Sequence, residues 1–291
     1  MPHISGMSVT SQAVLVTGAG KGIGAAITER LAGLGMLVFA GVRSDEDVQR
    51  WQAHASGRVH PVRLEVTDEA SIRDAVQELR AALQGKQLAG VVNNAGIAVA
   101  GPLEFLPVSE LRRQLEVNVI GQIAVTQAVL PLLRESRGRV INIGSIAGRS
   151  ALPLTGPYSA SKFAMEALTD SMRVELMPAG VDVIIIEPGV IATPIWDTSL
   201  KLGERLLSEM PKAAFEYYGG VIEAVKKRAM KGTGGLPPSV VADVVVHALT
   251  ARKPKTRYLI GRDARIRAML QKLPDRVRDR LIARQLAKLQ A

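Results

Sequence analysis

The 291-residue chain has no cysteine, which excludes disulfides, thiolate metal sites and cysteine nucleophiles. That absence fits a reducing compartment. Its four histidines, His3, His54, His60 and His247, show no His-x-x-x-His or His–Glu spacing. They read as surface or packing residues, not as metal ligands. Long apolar runs are missing too: no stretch reaches the ~18 residues that a membrane span needs. The nearest, Val117 to Leu133, is interrupted by Asn118, Gln122, Thr126, Gln127 and Pro131 and reads as a largely buried helix. The N-terminus shows no basic segment followed by an apolar one, so no secretory signal is expected and the expected location is cytoplasmic. Aromatic residues are scarce at 3%.

The net charge of +10 is local. From Arg252 onward there are 13 Lys/Arg against 3 Asp/Glu, while the residues before it carry 24 of each. The body is neutral and shows no nucleic-acid footprint; the basic character belongs to a tail.

Short β-branched runs alternate with helical patterns. Strands are expected at Ala13–Thr17, Met36–Val42, Val59–Leu64, Leu88–Val92, Val140–Ile143, Val181–Ile186 and Arg257–Ile260. Helices are expected over Gly22–Leu34, up to Trp51, over Ser71–Leu83, at about 109–134 and 157–178, and over Ser239–Leu249. This alternation predicts an α/β fold, a Rossmann-type doubly wound parallel sheet of about seven strands covered by helices on both faces. The expected layout is a flexible N-terminus at 1–11, one domain over 12–261 with an insertion at about 195–237, and a helical tail at 262–291.

Two stretches carry chemistry. Directly after the first strand comes Thr17-Gly18-Ala19-Gly20-Lys21-Gly22-Ile23-Gly24, leading into a helix. Such a turn lets backbone approach a pyrophosphate, which the helix N-terminus then binds. The register is open: Gly20-x-Gly22-x-x-Ala25 and Gly18-x-x-x-Gly22-x-Gly24 both fit. The second stretch is Tyr158-Ser159-Ala160-Ser161-Lys162. Thr155 and Pro157 look like a helix entry, which puts Tyr158 and Lys162 at i and i+4 on one face. A phenol titrates near pH ~10 unassisted, and an adjacent ammonium lowers that value. The result is a tyrosine able to exchange a proton with an alcohol or carbonyl. Ser145 ends the strand-like Arg139–Gly144 run, where a hydroxyl could hold the same substrate oxygen.

With its other motifs, the chain resembles the short-chain dehydrogenase/reductase family over roughly residues 11–195. The motifs are Thr17-Gly-x-x-x-Gly-x-Gly24, Asn93-Asn94-Ala95-Gly96, Asn118, Ser145, Tyr158-x-x-x-Lys162 and Pro188-Gly189 followed by Thr193. The wording around Val117–Val119 and Val140–Gly148 is most similar to the retinol and hydroxysteroid dehydrogenase branches. The resemblance makes Tyr158 the acid/base and Ser145 the group that positions the substrate oxygen. Lys162 would lower the phenol pKa and hold the nicotinamide ribose, and Asn118 would anchor a water joining Lys162 to solvent. Gly18, Lys21, Gly22, Ile23 and Gly24 would form the pyrophosphate turn. Asn94, Ala95 and Gly96 would pass beside the adenosine half, and Pro188, Gly189, Ile191 and Thr193 would border the nicotinamide. Where the family usually carries Asp for the adenine amine, this chain has Glu65, before Val66.

The second strand ends Phe39-Ala40-Gly41-Val42-Arg43-Ser44, with no carboxylate until Asp45. An acidic residue there would bind a ribose 2′-OH; Arg43 can pair instead with a 2′-phosphate. The expected cofactor is therefore NADP(H), with NAD the alternative. Ile195, Trp196, Leu200, Leu202, Leu206, Leu207, Met210, Phe215, Tyr217 and Tyr218 make the insertion apolar, suited to a lid over a lipophilic substrate or to burial against the body. Gly219-Gly220 and Gly232 to Gly235 are candidate hinges. The tail divides at Pro274 into two basic amphipathic helices, able to lie on an anionic membrane surface or to pack on protein. The reading is an NADP(H)-dependent oxidoreductase interconverting a secondary alcohol and a ketone on a lipophilic substrate. An oxidative NAD-dependent alcohol dehydrogenase is the alternative, with a non-catalytic cofactor sensor behind it. The resemblance implies a homodimer or homotetramer built through the two long helices.

Overall fold

Six consecutive residues, Gln12 to Thr17, are all buried, because helices cover both faces of the strand they form. The structure, a computed structural model, describes residues 9–231 and 235–290. Its strands are β1 (Gln12–Thr17), β2 (Leu37–Val42), β3 (Val59–Arg63), β4 (Gln87–Asn93), β5 (Arg139–Ile143), β6 (Asp182–Pro188) and β7 (Arg257–Ile260). They form one sheet in the order β3-β2-β1-β4-β5-β6-β7, and every pairing is parallel. The doubly wound fold expected from the alternation is the one formed.

The two-residue period of a strand divides the core. Val14 and Val16 of β1 face one side with α1 (Gly22–Gly33), α2 (Asp45–Gln52) and α9 (Pro238–Thr250). Ala13 and Leu15 face the other, with α3 (Glu69–Ala82), α5 (Gly121–Ser136) and α6 (Gly156–Glu175). Each fully buried Leu, Ile or Phe contributes roughly 1.5–3 kcal/mol.

The helix expected at 109–134 has an internal irregularity: α4 (Val108–Leu115) passes through a π turn at Glu116–Ile120 before α5 begins. It is also buried along one face only. Val125, Val129 and Leu133 are fully enclosed, while Ile120 is 53% exposed. The helix expected from 157 runs over Gly156–Glu175. Thr155 stands at its cap position without capping it, because its hydroxyl donates to the carbonyl of Leu152 at 2.8 Å.

The insertion folds as α7 (Ile195–Ser208) and α8 (Lys212–Lys231). Gly219 and Gly220 lie inside α8, so they form no loop hinge; Gly232 to Gly234 lie outside the described residues. The tail does divide at Pro274, into α10 (Arg262–Leu270) and α11 (Asp275–Gln290), and α11 packs against α8.

Ile141, fully buried in β5, is a fair probe of the core. Ile141→Ala should cost about 2–5 kcal/mol, read as a lower urea midpoint with an unchanged slope.

Candidate functional site

From β1 the chain builds outward through β2 and β3, then returns to the other side of β1 as β4. That reversal opens a crevice at the carboxyl ends of β1 and β4, where open α/β sheets bind ligands. Thr17 ties the two ends together: its hydroxyl accepts the N–H groups of Asn94 and Ala95, each at 2.9 Å. The Asn94 amide returns donors to the carbonyls of Thr17 at 3.0 Å and Gly18 at 3.1 Å.

The glycine register resolves to Gly18-x-x-x-Gly22-x-Gly24. Gly18 and Gly22 have φ of +64° and +59°, in the left-handed region. A Cβ on Gly24 would lie 2.2 Å from the Gly18 carbonyl oxygen. Gly20 is less constrained, since a Cβ there meets only the Asp47 carboxylate. No side chain caps α1, whose cap residue Lys21 is extended. Its first N–H groups are thus available to an anion. The turn fits a dinucleotide pyrophosphate.

A cleft of about 780 Å³ runs from this turn across the sheet edge. Apart from Gly24, which holds the turn from behind, every site residue expected from the sequence lines it: Gly18, Lys21, Gly22, Ile23, Arg43, Glu65, Val66, Asn94, Ala95, Gly96, Asn118, Ser145, Tyr158, Lys162, Pro188, Gly189, Ile191 and Thr193. Sequence reading missed Ser44, Asp47 and Arg50 at the Arg43 end, and Thr198 and Ser199 beside the expected Ile195 and Leu202 at the other. Arg50 lies 4.7 Å from the Trp51 ring centroid and reaches the Ala19 carbonyl at 3.5 Å. One turn of α2 therefore returns a second guanidinium to the cleft that Arg43 borders. Arg43 donates to Glu65 at 3.3 Å, and Glu65 also accepts the Thr67 hydroxyl at 2.9 Å.

Tyr158 and Lys162 share the face that their spacing predicts, the ammonium lying 5.8 Å from the phenol ring centroid. Lys162 is only 5% exposed and donates to the Ile143 carbonyl at 2.7 Å. Ser145 caps a short turn, Ile146–Gly148, by accepting the Ala147 N–H at 3.1 Å, and it hydrogen bonds to Tyr158. Burial pushes the Tyr158 phenol above its usual value, opposed first by the Ser145 bond and then by the Arg267 charge. This differs from the sequence expectation of a phenol lowered by Lys162. Burial likewise pushes the ammonium down to about 8, with Glu166 acting in the other direction.

Asn118 sits in the π turn. Its side chain accepts the Ile97 N–H at 2.9 Å and donates to the Ile97 carbonyl at 3.0 Å and the Ser161 hydroxyl at 3.1 Å. Those bonds brace the β4 loop against α6.

Two residues of α10 also reach the site. Asp263 accepts the Val190 N–H at 2.9 Å. A Cβ on Gly189 would lie 2.3 Å from that carboxylate, so a side chain there would force Asp263 to shift. One turn later Arg267 donates to the Ser150 carbonyl. The start of the tail thus spans the loops after β5 and β6. No motif in the sequence points to either residue.

On the insertion side, Ile195 and Leu202 line the cleft, while Leu206 is buried against Val99 and Leu106. The segment thus both borders the cleft and packs against the body. Phe215 and Tyr217 are exposed, and Tyr218 donates to Glu104 at 2.7 Å. The Trp196 side chain lies outside the described residues.

Gly24→Ala should lower the melting temperature and remove any stabilisation by nicotinamide dinucleotides. Gly33→Ala, in the same helix with nothing within 4 Å of the added methyl, should do neither.

Residues 12–201 match the short chain dehydrogenase family model. The NADPH-dependent 3-dehydrocapnine reductase of Ornithobacterium rhinotracheale is 37% identical over 94% of this chain and 97% of its own length. Retinol dehydrogenase 5 of Mus musculus is 37% identical over 87% of this chain and 81% of its own. Among solved structures, a short chain dehydrogenase from Burkholderia cenocepacia in complex with NADP superposes with a TM-score of 0.72 at 28% identity, covering 96% of this chain and 99% of that one. The shared glycine turn, the Ser145–Tyr158–Lys162 cluster and a family match over most of the chain agree: this protein belongs to the short-chain dehydrogenase/reductase family of oxidoreductases.

Proposed function

We propose that the protein uses NADP(H) to reduce a ketone to a secondary alcohol on a lipophilic substrate. The observation that carries this reading is the make-up of one continuous cleft: two guanidiniums at one end, the Ser145–Tyr158–Lys162 cluster in the middle, and Ile195 and Leu202 beyond it. A relative named as an NADPH-dependent reductase supports the cofactor and the direction.

The cofactor, when bound, supplies or accepts the hydride. Ser145 orients the substrate oxygen toward Tyr158, which gives its proton to the forming alkoxide. Lys162 holds ribose hydroxyls and favours the phenolate left behind. Asn118 acts mainly by bracing the loop, because its side chain is occupied by Ile97 and Ser161. A water on the proton path would rest on the main chain, where a π turn loosens the regular bonding. Burial that raises the phenol keeps it protonated at neutral pH. That form can donate to a carbonyl; the reverse reaction, alcohol oxidation, needs the phenolate and should speed up with rising pH. Leu202 and Ile195 would exclude water from the reacting carbon.

For the 2′-phosphate, Arg43 and Arg50 are the readers. Asp47 and Glu46 border the same end, which favours the second reading, NAD with a carboxylate on the ribose.

Tyr158→Phe should reduce turnover by at least about 10²-fold while nicotinamide dinucleotide affinity, measured by titration, changes little. Unchanged turnover would remove Tyr158 as the proton donor. A thermal melt with NADP⁺ and NAD⁺ in parallel tests the cofactor. Saturating NADP⁺, at 100 times its Kd, should stabilise by about 2.7 kcal/mol, and Arg43→Glu should reverse the preference. A larger shift with NAD⁺ for the wild type would favour the second reading.

A further inference from the structure

Behind Lys162 lies a group of charges that the reaction as described does not use. Glu166 follows Lys162 by one turn of α6, and Glu187 faces it from β6, immediately before Pro188. The Glu187 side chain is completely enclosed and that of Glu166 is 12% exposed. Their carboxyl groups lie within hydrogen-bonding reach of each other. Arg149, from the loop after β5, approaches Glu187 at 3.3 Å. Arg257, from β7, approaches Glu166 at 3.1 Å and Glu187 at 4.0 Å. Arg257 is shared, however, because it also bonds Asp170 at 2.7 and 2.8 Å.

One observation points to a missing donor, although the Nη1 of Arg257 is also buried without an acceptor. Oε1 of Glu166 and Oε1 of Glu187 are both buried, and no protein N–H or O–H group among the described residues donates to either. Two neighbouring ionised carboxylates repel each other, and each buried oxygen leaves an acceptor unsatisfied. A single proton between them removes the repulsion and supplies the missing donor, as in carboxyl pairs elsewhere.

We propose that Glu166 and Glu187 share one proton behind Lys162, and that this pair sets the charge of the ammonium, making both glutamates positioning residues for proton transfer at Tyr158. The groups facing Glu166 are Glu187 from β6, Arg257 from β7, Arg149 from the loop after β5, and Lys162 and Asp170 on α6. Burial, then the Glu187 charge and bond, push the Glu166 carboxyl from 4.5 to about 8. Near that pH Glu166 loses its proton and the charge behind Lys162 becomes more negative, just where Lys162 would otherwise lose its own. The carboxylate thereby extends the range over which the lysine stays charged. The pair's role in proton transfer rests on the function proposed above; the shared proton and its effect on Lys162 do not.

The experiment uses the full-length protein and Glu166→Gln, nearly the same shape and unable to titrate, with Glu166→Asp and Glu187→Gln as companions. Melting is followed from pH 5 to 9. Between the unfolded and folded values of Glu166, the native wild type holds a proton that the unfolded chain releases, so wild-type stability falls as pH rises across that window. The melting temperature of Glu166→Gln relative to wild type should therefore climb from pH 5 to about 8 and level off above. A constant difference over that range would mean an ordinary ionised glutamate and would overturn the shared proton. Carbon-13 NMR of labelled lysine, with the Lys162 signal assigned by Lys162→Arg, reads the ammonium directly. Its midpoint should fall by about half a pH unit or more in Glu166→Gln and stay close to wild type in Glu166→Asp; no movement would overturn the action on Lys162. These two arms need no turnover. The alkaline limb of NADPH-dependent ketone reduction should move down with the Lys162 midpoint. A limb that stays fixed while the midpoint moves would remove the pair from the proton machinery.

Discussion

An ammonium at 5% exposure, held by one neutral carbonyl at 2.7 Å, is the constraint around which the site is arranged. Burying a charge is costly unless it is partnered, so the elements around Lys162 must be fixed closely. The carbonyl comes from Ile143, the last residue of β5, and the lysine from α6. The turn between them touches the helix backbone: a Cβ on Gly148 would lie 2.8 Å from the Lys162 carbonyl oxygen. Only glycine permits that approach, and the approach draws Ser145 toward Tyr158. The chemistry of three residues thus rests on how closely one turn can lie against one helix.

What could be read from the sequence follows from this geometry. Strand and helix existence was legible because β1, β2, β4, β5 and β6 are covered on both faces and the helices carry apolar stripes. Tyr158 and Lys162 were legible because a helical turn alone brings them together. The glycine turn was legible because the need for positive φ leaves a residue signature, although only the structure separates Gly18, Gly22 and Gly24 from Gly20. Thr155 misled because a hydroxyl at a cap position has other acceptors nearby, here the Leu152 carbonyl. Gly219 and Gly220 misled because glycine pairs inside a helix look the same in sequence as hinges.

Contacts that depend on tertiary approach left no local mark. Arg50 joins Arg43 only because α2 folds back over the turn after β1. Asp263 and Arg267 lie far along the chain from the Val190 N–H and Ser150 carbonyl they hold. The basic tail therefore begins by holding the loops that border the cleft, and α11 continues by packing on the insertion helix α8. Charge counting separated this segment from the body; the structure joins it.

Burial works against ionisation of both Tyr158 and Lys162. It raises the phenol and lowers the ammonium, so it favours the neutral form of each. Two groups oppose it: the Arg267 charge from α10 favours the ionised phenol, and Glu166, once ionised, favours the charged lysine. Neither needs to touch the substrate. A dry site gains stronger electrostatics at the reacting atoms, and here the Arg267 charge makes the phenolate easier to form while Glu166 helps the lysine stay charged.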